Sequence, residues 1–586
     1  MPQTHRSIAF SGKKKKEQLK ARRERKILIK NREVPEHQQS NYQSRSESSE
    51  AVSVTLSQDE SAEEHVNYFE DTQVINQQPR ARGNVNRYNL KFRRETPEEV
   101  EKRKALHYSE IDLIPEYELE ATTDQFYPPG LSYPKRPPWK KNVTKHELDR
   151  SENRHYRLFC EQLNKDFAGA ELSLYELNLE TWRQLWRVTE MSDVLLIIVD
   201  ARFSVAQFPP YLYEHLVEQE NKGIILILNK CDLLPPAVIV AWEEYFHNKF
   251  PRLLIVPFSS VEGYAFRKGT LKISAEGSLR LVDACQKLVE DSVDLNPWRR
   301  KIEEEKEMES EVSQECKATE GMTVMPQSTS PEVHQRFKDG VLTIGTIGHP
   351  NVGKSSLINA LMGKKVVSVS KTPGHTKHFQ TIFLTKNVKL CDCPGLVFPS
   401  TISLPLQVMQ GSYPISQVRD PINVVHYISS RLDIPRLLKL SNMELQDSRW
   451  TAYYICEAWA IKRGYHTRVR GGLDVSRAAN ELLRMCHNGQ KSLVLYFRPP
   501  GYCQTKEKFE SHPRVEDIKL IQGIHAQTME PVPHETKLDE EVEDEEDIVE
   551  DMEKTESEEE EECESESEEM NRTSVVNKFA VLGEDD

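Results

Sequence analysis

Short apolar runs, most of them ending at a polar or glycine-containing motif, mark the middle of the chain. Most runs are too short to form a buried helix, so they predict strands. Helical spacing of apolar residues over 278–293 predicts the last helix of the same domain, and residues 146–190 predict two more helices. The predicted strands cover residues 194–199, 224–228, 253–256, 341–347, 381–384 and 388–390.

The motifs at the ends of these runs belong to one set. In chain order they are Asn229-Lys230-Cys231-Asp232, Ser259-Ser260, Gly348-His349-Pro350-Asn351-Val352-Gly353-Lys354-Ser355, Thr376 and Asp392-Cys393-Pro394-Gly395. In an ordinary guanine-nucleotide-binding domain these motifs come fourth, fifth, first, second and third, so the order here is G4-G5-G1-G2-G3. Such a rotation is tolerated because the ends of α/β domains usually lie close together. The sequence therefore predicts an α/β fold, a circularly permuted P-loop G domain with a six-stranded, mostly parallel sheet.

The first of these loops predicts a phosphate site. A glycine-rich turn at the start of a helix directs backbone N–H groups at an anion. Lys354 would reach the β- and γ-phosphates, and the Ser355 hydroxyl would bind Mg²⁺. The alternative, a glycine-rich turn with a chance lysine, is disfavoured by the strand before it and the helix after it. The expected nucleotide-binding residues here are Gly348, Asn351, Val352, Gly353, Lys354, Ser355 and Ser356.

Base selection is expected to depend on Asp232, whose carboxylate can accept hydrogen bonds from guanine N1–H and the exocyclic amine. Adenine lacks this pair of donors, and a site built for polar contacts can reject an analogue by about four to five orders of magnitude. Asn229 would orient the loop, and the Lys230 stem would lie over the ring. Ser259 and Ser260 would form a second base-contacting turn. The alternative for the four residues from Asn229 to Asp232 is an ordinary polar turn.

Asp392 is expected to hold the metal through water, and the Gly395 N–H to contact the γ-phosphate. Leu396 follows, at the position where Ras-like enzymes place the glutamine that orients the attacking water. An apolar side chain cannot do that task. Intrinsic GTP hydrolysis is therefore expected to be slow, unless backbone, a cation or a partner positions the water.

The chain resembles the YlqF/YawG class of circularly permuted GTPases over residues 145–500, and the eukaryotic members of that class are mostly ribosome-assembly factors. The resemblance is carried by the motif order, Leu396 and the segments Asp200-Ala201-Arg202, His349-Pro350-Asn351-Val352 and Pro373-Gly374-His375-Thr376-Lys377. The chain departs from the class in its long linker between Ser260 and Gly348.

The resemblance also implies roles for single residues. Thr376 would close on Mg²⁺, and Thr372 in the same loop is the alternative for this role. Together with the phosphate-loop serine and the strand-end aspartate, the expected metal ligands are Ser355, Thr376 and Asp392. The expected catalytic residues are Lys354, Thr376 and Gly395. Asn351 would help to seat an activating K⁺, or would only form a turn. The segment from Asp200 to Arg202 would contact the phosphate side or tie a loop.

The flanking segments differ from the G domain in composition. Three helices, over 421–432, 450–463 and 474–487, with Asp474 as N-cap and Gly489 as terminator, and a strand over 493–497 predict a smaller, mainly helical C-terminal domain. The expected divisions are a basic, mostly disordered arm (1–83), a Pro- and aromatic-rich extended segment (84–145), the two G-domain halves (146–293 and 339–410), a flexible linker (294–338), the C-terminal domain (411–503) and an acidic disordered tail (504–586).

The chain has a net charge of −15 and a mean hydropathy of −0.63, and its charges are unevenly distributed along the sequence. Basic residues crowd 13–26, whereas 539–569 is densely acidic. The basic block predicts a nuclear address or an RNA contact, with a solvated charged helix as the alternative. Serines among the glutamates, such as Ser557, suit phosphorylation. The 10 Cys show no Cys-x-x-Cys spacing, so neither a zinc site nor a disulfide framework is indicated.

These patterns predict a GTPase that binds GTP and GDP with Mg²⁺ and acts as a switch on a ribosomal subunit or another RNA–protein particle. The basic arm and the C-terminal domain would contact the particle, and nuclear import receptors would be further partners. Neither a membrane segment nor DNA sequence specificity is expected. The expected localisation is intracellular, in the nucleus or nucleolus with cytoplasmic shuttling. The alternative function is a GTP-stabilised nuclear or signalling scaffold with little turnover.

Overall fold

The structure, a computed structural model, describes residues 72–75, 90–93, 97–139, 143–167, 172–260, 270–308, 325–326, 335–364, 366–367, 380–441, 449–467 and 471–523. Over these residues the strands form a two-stranded antiparallel pair, β1 with β2, and one seven-stranded sheet. The strands are β1 Thr72–Ile75, β2 Leu90–Arg93, β3 Val194–Asp200, β4 Gly223–Asn229, β5 Leu254–Pro257, β6 Met325–Pro326, β7 Leu342–Ile347, β8 Gln380–Thr385 and β9 Val388–Asp392.

The order in the large sheet is β5-β4-β3-β7-β9-β8-β6. The first five strands are parallel, and β8 and β6 are antiparallel to their neighbours. All six predicted strands are present, which confirms the permuted, mostly parallel fold. The two-residue edge strand β6 was not predicted. Because β3, β4, β5, β7 and β9 are parallel, their carboxyl ends lie along one edge of the sheet.

Helices cover both faces of the sheet, which explains why the central strands are apolar throughout. In β3, Leu195 and Ile197 belong to one core and Leu196 and Ile198 to the other. The helices are α1 Pro97–Leu106, α2 Lys145–Asp166, α3 Leu179–Met191, α4 Ser204–Gln207, α5 Pro210–Glu214, α6 Pro236–Lys249, α7 Thr270–Val289, α8 Asn296–Met308, α9 Lys354–Met362, α10 Leu404–Met409, α11 Pro421–Ser429, α12 Ile434–Leu437, α13 Ala452–Arg463, α14 Val475–His487, α15 Tyr502–Glu510 and α16 Arg514–Ile521.

The predicted flexible linker over 294–338 is wrong in its first part, where α8 packs on the sheet. Trp298 is 0% exposed and Ile302 is 3% exposed, both in the same core as α7 and α9. Their spacing of four residues places both on one helix face, and the charged residues between them remain outside. Residues 309–324 and 327–334 of the predicted linker lie outside the described part of the chain.

Two predictions near the carboxyl end are also wrong. The segment 493–497 is not a strand, because its apolar side chains are buried without a neighbouring strand; the Phe497 N–H donates to the Arg202 carbonyl instead. The acidic tail does not begin at residue 504, since α15 and α16 bury Phe509 and Ile518. Residues 524–586 and 1–71 lie outside the described residues.

The C-terminal helices share one core with a face of the sheet. The cluster that contains Leu195 and Ile197 extends to Ala478 and Leu482 on α14, and also includes Tyr133 from the Pro- and aromatic-rich segment. The N-terminal end of α14 is capped as predicted, with the Asp474 side chain accepting from the Arg477 N–H. Within the described residues, none of the helices combines the length and the apolar character needed to cross a membrane.

Candidate nucleotide-binding site

The predicted phosphate loop connects the end of β7 to the start of α9. Two of its glycines are required by close contacts. A Cβ on Gly348 would lie 2.4 Å from the Ile198 carbonyl oxygen, and a Cβ on Gly353 would lie 2.3 Å from Asn229 Nδ2. Gly353 also has a φ of +96°, which disfavours any other residue. The loop therefore packs tightly against the ends of β3 and β4, and its backbone turns into the N-terminus of α9.

The predicted guanine motif contacts this loop directly. Asn229 Nδ2 donates to the Val352 carbonyl at 2.7 Å, and Lys230 Nζ donates to the Asn351 carbonyl at 2.8 Å. Lys230 has a φ of +58°, so the chain turns sharply as it leaves β4. The two loops, more than 100 positions apart in the sequence, thus form one continuous rim.

The second base-contacting turn supports the guanine motif. Ser260 Oγ donates to Asn229 Oδ1 at 3.0 Å, and Ser259 Oγ donates to Asp232 Oδ1 at 2.8 Å. Asn229 and both serines are buried, whereas Asp232 is exposed. Both serines therefore hold polar side chains of the motif in position, and the Asp232 carboxylate stays accessible to a ligand.

Lys354 lies buried under the phosphate loop at the start of α9. Its Nζ donates to the carbonyls of Gly348 at 3.1 Å and His349 at 2.7 Å. These bonds account for two of the three protons of an ammonium group. Burial lowers the pKa of Lys354 to about 8, although the Asp392 carboxylate opposes this shift. The side chain therefore carries a positive charge at neutral pH next to the N-terminus of a helix, a combination that favours an anionic ligand.

Ser355 and Asp392 form the predicted metal side of the pocket. Ser355 Oγ donates to Asp392 Oδ2 at 3.3 Å, while Asp392 Oδ1 is buried and has no hydrogen-bond partner among the described residues. Burial raises the pKa of Asp392 to about 6, against the opposing effect of Lys354. A buried carboxylate oxygen in need of a partner, beside a hydroxyl, fits a hard cation such as Mg²⁺.

The loop after β9 also contacts the phosphate loop. A Cβ on Gly395 would lie 2.7 Å from Pro350 Cα, and the Leu396 N–H donates to the Gly348 carbonyl at 3.1 Å. The Leu396 side chain is only 1% exposed and belongs to the core. Thr376 and Thr372 lie outside the described residues, so the predicted closing threonine has no described position.

Asn351 and Asp200 make contacts that bear on the alternatives left by the sequence. Asn351 has a φ of +59°, and its Nδ2 donates to the Gly411 carbonyl at 2.9 Å, so it is more than a local turn-former. Asp200 is held by Arg202 and Lys230, and Arg202 reaches the end of α14. The segment from Asp200 to Arg202 therefore connects the loop that carries Lys230 to the end of α14. Sequence reasoning missed Gly411 and the end of α14 because no local motif marks contacts between such distant segments.

The permuted sheet and the joined guanine and phosphate loops define a circularly permuted GTPase of the P-loop class. Residues 343–440 match the family model described as 50S ribosome-binding GTPase. The chain is 43% identical over 484 residues to guanine nucleotide-binding protein-like 1 of Homo sapiens, and the match covers 77% of this chain and 79% of that protein. It is 32% identical over 422 residues to GTPase LSG1-2 of Arabidopsis thaliana, covering 70% and 68% respectively.

Among solved structures, the GDP-bound structure of TM YlqF matches with a TM-score of 0.30 and 18% identity, covering 53% of this chain and 95% of that one. The extent of the match to guanine nucleotide-binding protein-like 1 settles the relationship. The chain belongs to the family of circularly permuted GTPases that includes guanine nucleotide-binding protein-like 1.

Proposed function

We propose that the protein binds GTP and GDP selectively with Mg²⁺, hydrolyses GTP to GDP and phosphate, and acts as a nucleotide-gated switch on an RNA–protein particle. The observation that supports this most directly is the pair of hydrogen bonds from Asn229 and Lys230 to the phosphate loop. These bonds connect the proposed guanine motif to the proposed phosphate loop, as the binding of a single nucleotide requires.

Each side of the pocket has a distinct task. Asp232 accepts from the guanine N1–H and amine, while Asn229, Lys230, Ser259 and Ser260 shape the base side. On the other side, Lys354 and the N–H groups at the start of α9 hold the phosphates, and the Gly395 N–H contacts the γ-phosphate.

The metal ligands are proposed to be Ser355, Asp392 and Thr376. A bound Mg²⁺ would neutralise charge on the phosphate oxygens during transfer. The Asp392 carboxylate must be ionised to fill this role, and its raised pKa of about 6 leaves it mainly ionised at neutral pH. The geometry of Ser355 beside Asp392 supports this assignment.

Turnover is proposed to be slow in the isolated protein. The buried Leu396 side chain has no group that can orient water. Another group must therefore orient the water, either a cation near Asn351 or a residue supplied by a partner. K⁺ at Asn351 is one such route, since the side-chain amide also has an oxygen that could act as a ligand.

The partner is proposed to be a maturing ribosomal particle. The family description of the matched residues, 50S ribosome-binding GTPase, supports this choice, and so does the basic block over 13–26. Contacts to RNA phosphates release counterions, so affinity should fall with salt. We further propose residence in the nucleus or nucleolus with cytoplasmic shuttling, and recognition by nuclear import receptors.

The central experiment compares binding of GTP, GDP and ATP to the full chain by calorimetry and then measures GTP turnover in K⁺ or Na⁺, with and without purified ribosomal subunits. Selective guanine binding and turnover stimulated by subunits are expected. Binding of ATP as tightly as GTP would contradict the base assignment.

A second function is favoured by the apolar Leu396, namely a scaffold that GTP only stabilises. Guanine binding without turnover under any of these conditions would support it. Salt-dependent co-sedimentation with ribosomal RNA, comparing the full chain with one lacking residues 1–35, tests the proposed RNA contact separately. Equal co-sedimentation of the two chains would contradict a role for the basic arm.

A further inference from the structure

Asp200 and Arg202, at the end of β3, form an ion pair that is closed off from solvent. Their side chains are 1% and 0% exposed. Arg202 Nε and Nη2 donate to the two carboxylate oxygens at 3.0 and 2.7 Å. Lys230 Nζ lies 3.2 Å from the same carboxylate. Arg202 thus holds Asp200, and Asp200 holds the lysine of the guanine motif.

The rest of the Arg202 guanidinium contacts the C-terminal helix α14. Its Nη1 donates to the carbonyls of Cys486 at 3.2 Å and His487 at 3.0 Å. The last carbonyls of a helix have no partner within the helix and carry partial negative charge. A buried guanidinium at this end therefore stabilises the last turn of α14 in its contact with the G domain.

A second connection joins α14 to the phosphate loop. His487 Nδ1 bonds to the Met409 carbonyl at 3.2 Å, and the Gly411 carbonyl accepts from Asn351 Nδ2 at 2.9 Å. A Cβ on Gly411 would lie 2.7 Å from His487 Cε1 and 2.9 Å from Asn351 Cβ, so the three residues are closely packed. His349 Nδ1 lies 3.2 Å from Ser412 Oγ in the same region.

These contacts close a ring around one side of the pocket. It runs from Lys230 through Asp200 and Arg202 to His487, and then along the segment 409–412 back to Asn351, whose carbonyl bonds to Lys230. The ring therefore includes both nucleotide loops and the end of α14. Displacing α14 would remove two carbonyl partners from a buried guanidinium, a costly change.

We propose that Arg202 is a positioning residue through which helix α14 controls how long the pocket retains guanine nucleotide. The inference rests on the proposed nucleotide binding and adds a regulatory element to it. Coupling between two sites is reciprocal in binding free energy, so docked α14 strengthens nucleotide binding and bound nucleotide stabilises the last turn of α14. Changes in affinity within one site appear mainly in the dissociation rate, so nucleotide release is slower while α14 is docked. A particle that displaces α14 would thereby promote nucleotide exchange.

The test measures release of a fluorescent GDP analogue from the full chain carrying Arg202→Lys. Lysine keeps the charge beside Asp200, but its three donors cannot reproduce a planar fork that reaches both a carboxylate and two carbonyls. Release is expected to be about 5- to 150-fold faster, the usual range of coupling, while the preference for GTP over ATP is kept.

A second variant, Asn351→Gly, leaves the ion pair intact. Glycine accepts the left-handed backbone at this position, so the main chain is kept while the side-chain contact with Gly411 is lost. Faster GDP release is expected for this variant too, and to the same extent in K⁺ and in Na⁺. Faster release in K⁺ alone would indicate that Asn351 is a cation ligand and would count against a role for its contact with Gly411. Ser476→Ala, exposed at the other end of α14, is the matched control and should release GDP at the wild-type rate.

Hydrogen exchange of the full chain supplies the reciprocal measurement. GDP should slow exchange of the amides over 482–488 in the wild type, and Arg202→Lys should reduce that protection. Wild-type release rates in both variants, or exchange over 482–488 that GDP does not alter, would overturn the coupling while leaving the proposed nucleotide site intact. A wild-type chain that binds no guanine nucleotide would overturn the proposed function and this inference together.

Discussion

The side-chain amide of Asn229 donates to the main-chain carbonyl of Val352 at 2.7 Å, although the two residues are 123 positions apart. The bond links the end of β4 to the loop after β7, two strands separated in the sheet by β3 alone. Permutation moves the guanine motif ahead of the phosphate loop in the sequence without changing this neighbourhood. The pocket is thus a property of sheet order, and chain order matters little to it.

Replacing Asp232 with Asn should change which base the pocket accepts. The Asn amide N–H₂ would face the guanine amine, donor against donor, so GTP affinity should fall about 100-fold or more, given roughly 1.5–3 kcal/mol for each hydrogen bond to a charged group. Xanthine has a carbonyl in place of that amine and should bind the variant better than the wild type. Calorimetry with GTP and xanthosine triphosphate measures both effects.

The gain of xanthosine triphosphate binding is the control for folding, because a misfolded variant would bind neither ligand. Ser259 Oγ can still donate to the side-chain oxygen of the new amide, so the local support of the loop is kept. Unchanged GTP affinity in Asp232→Asn would show that this carboxylate does not select the base.

Gly353→Ala should weaken nucleotide binding for a steric reason. The new Cβ would lie 2.3 Å from Asn229 Nδ2 and would push this side chain off the Val352 carbonyl. Asn229 would then be displaced from the base, and loss of its contact with the base and of one loop contact with phosphate, at about 1 to 1.5 kcal/mol each, predicts affinity for GDP lower by roughly 30- to 150-fold. Fluorescence titration with a labelled GDP provides the measurement.

Gly464→Ala is a matched control for this variant. Gly464 also has a positive φ, +69°, but no described atom lies within 4 Å of its Cβ position. Both variants should lose about 1–2 kcal/mol of stability to left-handed strain, whereas only Gly353→Ala should lose nucleotide. Similar GDP affinities in the two variants would mean that the Asn229 side chain moves away from the new Cβ without any effect on nucleotide binding.

The sheet could be predicted from the sequence because each central strand is a short apolar run followed by a motif. The predicted strand over 194–199 ends one residue before the observed one, and the burial of both its faces follows from its composition. The prediction of a flexible linker was wrong in its first part because α8 buries few residues, chiefly Trp298 and Ile302, among many charged ones. A helix that depends on two contacts with a distant core has little local signature.

The prediction of a strand over 493–497 was wrong for a related reason. Alternating burial of Leu493, Leu495 and Phe497 suggests a sheet, but their neighbours are loops and helices. In the site, the predicted residues that the structure describes lie near one another because strand ends converge on one edge of the sheet. The contact of Asn351 with Gly411 could not be predicted, since it joins two loops across 60 positions with no repeating pattern.

Leu396→Ala should affect stability far more than chemistry. The side chain is 1% exposed within the core, so its truncation should cost about 2–5 kcal/mol of unfolding free energy. The GTPase rate at saturating GTP should stay within about threefold of the wild type, because a buried alkyl group contributes no polar contact to the transition state. Leu396→Met, which conserves volume, should be nearly neutral in both measurements. A tenfold or greater fall in rate at a temperature where the Ala variant is folded would contradict this assignment.

Glu176 should make stability fall as the pH rises towards neutrality. Its side chain is 5% exposed, and burial raises its pKa to about 7 from 4.5, although the Asn178 N–H, which donates to Oε1 at 2.7 Å, opposes the shift. The folded state therefore binds this proton more tightly than the unfolded state does between pH 4.5 and 7, so stability present below pH 4.5 is lost as the pH rises through 7.

Glu176→Gln keeps the hydrogen bond without the charge, and its stability relative to the wild type in urea unfolding should increase by roughly 2–3 kcal/mol between pH 5 and pH 8. The exposed Glu161→Gln should not reproduce this gain. An equal difference between Glu176→Gln and the wild type at both pH values would show that the carboxyl group is ionised in the folded protein throughout this range.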